Sequence, residues 1–96
     1  MSAIKVFEKG SNERRALEAA AALFTAFDGR PHVVDETYFD YGQDWKWTTI
    51  LYDGGSFGRV QALTPRDQED IIAAGGLIEL ATVVNKIIER KKTRGW

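Results

Sequence analysis

The period of the apolar positions changes along the chain, and each change marks an element. Ile4 to Phe7 is short and extended in character and ends at the breaker pair Gly10-Ser11, which predicts a brief N-terminal strand at a sheet edge. Ser11 or Asn12 then offers an N-cap, and Leu17, Ala20, Phe24 and Phe27 recur at helical spacing, with Ala16, Ala21 and Ala22 adding helix propensity. Asp28-Gly29 closes that helix, because glycine can take the positive φ of a helix exit.

Beyond His32 the chain turns β-branched and aromatic. Val33 to Tyr41 and Trp45 to Tyr52 flank Gly42-Gln43 as the arms of a hairpin, and Asp53-Gly54-Gly55-Ser56 turns the chain into a return strand, Phe57 to Leu63. Thr64-Pro65-Arg66-Asp67 has the order of a helix start, with threonine as N-cap, proline at the first helical position and an acid at the third. Ile71, Ala74, Leu77, Leu80, Ala81, Val84, Ile87 and Ile88 then carry an apolar stripe. Gly75-Gly76 interrupts it at a cost of about 2 kcal/mol against two alanines in an unbroken helix, so a kink or a break is expected there. The expected fold is α+β in the order β-α-β-β-β-α. A three- or four-stranded antiparallel sheet carries two helices on one face, or three if Gly75-Gly76 divides the last.

Two-residue turns would set Asp40 opposite Trp45 and Tyr38 opposite Trp47, then Trp47 opposite Ala62, Thr49 opposite Val60 and Leu51 opposite Gly58. Val34, Tyr38, Trp45, Trp47, Leu51, Val60 and Ala62 would then meet the helices. Phe39, Tyr41, Lys46, Ile50, Tyr52, Phe57 and Arg59 would gather on the opposite face, with Asp35 and Asp44 at its margin. Open to water, that aromatic face is a candidate docking surface; the N-terminal strand, a loop or a second subunit could cover it instead.

Composition narrows the chemistry. The 96 residues suit one domain, 1–96, ending in a short basic tail, and 44% hydrophobic with 28% charged residues is an ordinary globular balance. Thirteen basic and fourteen acidic side chains give a net charge of −1, without global bias toward nucleic acid or anionic membranes. There is no cysteine, so disulfides, thiolate metal sites and cysteine nucleophiles drop out together. Met1 to Gly10 has no signal-peptide core, and the longest apolar run, Ala19 to Phe24, is far too short to span a bilayer, so a soluble cytoplasmic protein is expected.

The chemical candidates are few. His32 is the one histidine, and Ser2, Ser11 and Ser56 lie in a terminal segment, a helix cap and a turn, so no nucleophilic triad is expected. Asp40 and Asp44 flank a turn and could pair for acid–base work or hold magnesium, but turn propensity explains acids there more simply. No metal and no cofactor is expected. Gly54 to Arg59 is glycine-rich without the lysine or the strand-to-helix setting of a phosphate loop.

Charge is uneven instead. Val33 to Gly58 holds five acids (Asp35, Glu36, Asp40, Asp44 and Asp53) against Lys46, and Lys86 to Trp96 holds five bases against Glu89. The basic end suits a helix C-terminus. With Trp96 it could also contact phosphates and stack a base.

After Gly10 the order α-β-β-β-α resembles that of the double-stranded-RNA-binding domain. That family starts its last helix with lysines, whereas Arg66-Asp67-Gln68-Glu69-Asp70 is acidic, and Gly42-Gln43 is shorter than the family's loop. No RNA-contacting residue is carried over. On Leu77 to Arg90 the polar residues cover an arc of roughly 140°, which leaves Ile78 and Val83 as a candidate homodimer seam.

The reading is a small non-enzymatic protein-binding module, an adaptor or inhibitor. It would dock through an acidic hairpin edge, an open aromatic face, or both, formed from Asp35, Glu36, Phe39, Asp40, Tyr41, Asp44, Lys46, Tyr52, Phe57 and Arg59. Its expected partner is another protein with a basic surface, and no membrane. The alternatives are single-stranded nucleic-acid binding through the sheet face and basic tail, and a carboxylate-based enzyme.

Overall fold

The computed structural model describes residues 6–40, 44–53, 59–61 and 63–93, with the backbone alone at 37–40, 44–47, 53, 59–61, 65 and 93. Helix α1 is Asn12–Asp28, followed by strands β1 (His32–Asp40), β2 (Asp44–Asp53) and the short β3 (Arg59–Gln61), then helices α2 (Pro65–Ala73) and α3 (Leu77–Thr93). The protein is α+β, with three helices and an antiparallel sheet built on the long β1–β2 pair. Val6 to Glu8 is not a strand, and the rest of the expected N-terminal strand lies outside the described residues.

Each helix starts where its sequence supplies a cap. The Ser11 hydroxyl accepts the Arg14 N–H at 3.1 Å, and α1 ends at Gly29, whose φ of 84° is one that glycine adopts without strain. In α2 the Thr64 hydroxyl accepts the Asp67 N–H at 3.2 Å while the Asp67 carboxylate accepts the Thr64 N–H, a reciprocal capping box. The chain leaves the helix at Ala74, which is extended, and Gly75-Gly76 carries it into α3. The Glu79 carboxylate in the first turn of α3 accepts the Gly75 N–H at 3.1 Å, and the Leu80 N–H bonds the Gly76 carbonyl. On the α2 side the Ala74 N–H bonds the Ile71 carbonyl at 3.2 Å, so each helix end at the break has its own closing bond.

The core joins Leu17, Ala20, Ala21 and Phe24 of α1 to Ile50 of β2, Leu63, Ile71 of α2, and Leu80, Val84, Ile87 and Ile88 of α3. Helix α1 touches both long strands, and α3 packs chiefly on α1. Phe27, expected on the buried stripe of α1, lies in its last turn and is exposed, whereas Ala21 is buried with Leu17, Ala20 and Phe24.

The strand register differs from the two-residue-turn expectation. Asp40 pairs with Asp44, Phe39 with Trp45, Tyr38 with Lys46 and Val34 with Ile50, which leaves residues 41–43 between the strands. One extra turn residue moves every partner by one position and exchanges the faces of one strand relative to the other. Ile50 and Tyr52, expected on the open face, lie on the helix side: Ile50 is fully buried and Tyr52 packs against the core. Leu51, expected against the helices, alternates to the other side and is also buried. On the far side of β2, Leu51 pairs with Gln61, Tyr52 with Val60 and Asp53 with Arg59, so the second register is displaced as well. Where β3 has run out, the Gln68 side chain of α2 donates to the Thr48 carbonyl and takes over the edge of β2.

Candidate functional site

The expected site residues divide among several places. Asp35 and Glu36 line an open groove of about 540 Å³ between the Val6–Lys9 segment and the Val33–Glu36 stretch of β1, with Arg14 at its base. Asp40 and Asp44 occupy directly paired positions at the far end of the β1–β2 hairpin. Phe39 and Lys46 are paired with Trp45 and Tyr38, and Arg59 with Asp53. Tyr41 and Phe57 lie outside the described residues.

Tyr52 belongs to a different cluster. The His32 ring stacks on Phe24 with centroids 5.2 Å apart and lies 5.7 Å from the Tyr52 ring, over which Arg30 sits at 5.0 Å. Arg30 also bonds the Asp28 carboxylate at 2.9 Å. His32 Nδ1 is 2.7 Å from the Arg30 carbonyl, and its backbone N–H donates to Thr25 Oγ1 at 2.9 Å. Burial holds the imidazole below its ordinary pKa, opposed by the Arg30 carbonyl and the charge of Asp28. The arrangement fastens the end of α1 to the start of β1.

Arg14 is the groove residue that the sequence reading passed over. It is buried, and its Nη1 donates to the Phe7 carbonyl at 3.3 Å and lies 3.6 Å from a Glu36 carboxylate oxygen. Its Nε lies 3.6 Å from the Glu18 carboxylate. The Phe7 N–H in turn donates to Thr48 Oγ1 at 3.0 Å, so the segment forming one bank of the groove is tied to both α1 and β2. A signal was present, since Arg14 sits in phase with Leu17 and Ala21 on the apolar stripe of α1.

The chemistry of the groove is electrostatic and backbone-directed. Its Val6 and Val33 side chains are substantially exposed, and Glu8, Asp35 and Glu36 supply carboxylates against Lys9 and the engaged Arg14. Among the described residues no group of three or more His, Cys, Asp or Glu side chains is placed to hold a metal ion. Compared with family models, curated proteins and solved structures, the chain matches none.

Proposed function

We propose that this protein is a non-enzymatic protein-binding module, an adaptor or inhibitor, that docks through the acidic β1–β2 hairpin. The observation that carries the reading is the pairing of Asp40 with Asp44 in a strand pair that also presents Asp35 and Glu36 at an open groove. Like charges directly opposite one another in a sheet oppose its stability. A basic surface brought against them would relieve that repulsion and speed encounter through its field. The setting of His32 supports the non-catalytic part of the reading, because the ring is packed between Phe24 and Tyr52 with Nδ1 at a backbone carbonyl.

The test is capture from nuclease-treated lysate of the source organism, comparing the native chain with the Asp40→Lys, Asp44→Lys double variant. A protein retained by the native chain and reduced at least about tenfold by the double reversal is the expected result, as tenfold corresponds to about 1.4 kcal/mol of lost attraction. With that protein purified, the association rate should fall with rising salt and with the reversal. Capture indifferent to the reversal, or abolished by nuclease, overturns the reading.

A further inference from the structure

The backbone of β1 points to how such a partner is held. In an antiparallel pair, alternate residues turn their N–H and C=O groups toward the neighbouring strand and away from it. Two bonds settle the phase here: the His32 N–H donates outward to Thr25 Oγ1, and the Glu36 N–H donates to Asp35 Oδ1 at 2.8 Å. Val34, between them, therefore also turns its N–H and C=O away from β2. Among the described residues β1 is the edge of the sheet, and no described backbone group pairs with those of Val34 there. Thr25 of α1 covers one end of this edge, and the Asp35 side chain guards the other, as charged residues commonly do on edge strands. Between them the edge opens into the groove whose opposite bank is Val6–Lys9.

We propose that this groove receives an extended, basic segment of another protein, which adds to β1 as an antiparallel strand and bonds Val34. The inference rests on the protein-binding reading above and specifies its mode. The chemistry of the occupant follows from the edge. Successive side chains Val33, Val34, Asp35 and Glu36 alternate between the two faces, so each face offers one valine and one carboxylate. An added antiparallel strand reading Lys-Lys-Val-Val would set a lysine against each acid and a valine against each valine, the favourable cross-strand pairs. A second copy of this edge fits poorly, because β1 carries Asp35, Glu36 and Asp40 with no lysine or arginine, and Glu8 stands on the facing bank.

The probe is the end-blocked peptide Thr-Lys-Lys-Val-Val-Thr, titrated into the full chain while amide exchange at Val34 is followed by NMR. In the free chain the Val34 amide should exchange rapidly, and on adding the peptide it should slow by at least about tenfold, the effect of one hydrogen bond gained. A peptide of the same sequence, N-methylated at the amides that face β1, should bind about tenfold more weakly, since its charge is unchanged and only backbone donors are lost. Slow exchange at Val34 in the free chain would mean that the edge is already filled, by the chain itself or by a second copy, and overturns the proposal. Equal binding of the methylated peptide, or binding without protection of Val34, also overturns it. Those results leave the module reading standing if capture still depends on Asp40 and Asp44, whereas capture indifferent to their reversal removes the reading itself.

Discussion

His32 is buried at the start of β1. As the single histidine it invites a catalytic role, yet its ring is stacked on Phe24, its Nδ1 meets the Arg30 carbonyl and its N–H is bound by Thr25. Burial lowers its folded-state pKa below the ordinary value of 6.5 that the unfolded chain has. Between the two values the unfolded state binds more protons, so this contribution to stability is present above pH 6.5 and is lost as pH falls through that window. The urea midpoint should therefore decline from pH 7 toward pH 5, and His32→Phe, which keeps a ring on Phe24, should flatten the decline. An unchanged slope in the variant would assign the decline to carboxylates instead. Arg14 is the converse case: an unremarkable charge in a helix that holds the groove together through Phe7 and Glu36.

At the scale of elements, the best-read features are those whose causes are local. The caps at Ser11 and Thr64 bond groups within three residues of themselves, and the sequence places both helix starts where they occur. Asp67 carries two duties, closing the capping box of α2 and pairing with Arg90 of α3. It is buried, whereas the Arg90 side chain is 46% exposed, so the two ends of the pair should respond differently to removal. Asp67→Ala should cost about 2 kcal/mol, through the lost capping bond together with the lost ion pair, whereas Arg90→Met should cost less, about 1 kcal/mol, because the buried carboxylate keeps its capping bond to Thr64. Chemical denaturation of the two variants checks the order; equal costs would mean that the ion pair, rather than the cap, dominates. The hairpin was legible as a hairpin from its β-branched and aromatic arms. Its pairing was not, because a turn of two or three residues is compatible with the same local sequence.

At the scale of the whole molecule, the large apolar side chains exposed among the described residues, Val6, Phe27, Val33, Leu77 and Ile78, fall on several segments of the chain. Leu77 and Ile78 at the start of α3 are 69% and 84% exposed, while Val83, expected beside Ile78 in a dimer seam, packs against the core instead. Leu77 and Ile78 by themselves fall well short of the roughly 800 Å² per partner that a stable interface buries, so the described part of α3 supplies no complete seam. Ile78→Glu should therefore leave the sedimentation mass unchanged; a fall in mass would place a subunit contact on α3. Among the described residues no helix is long and apolar enough to cross a membrane.

Read alone, the chain determined the α+β class, the helix starts and the break at Gly75-Gly76, because periodicity, capping and glycine conformations are set by neighbours in sequence. Long-range packing decided that Ile50 and Tyr52 rather than Leu51 share the helix side, that β1 keeps Val34 at an edge, and that Arg14 meets Glu36. The physical reason is the two-residue period of a strand: a shift of one residue reverses a face, and fitting side chains from distant segments into one core selects between the two.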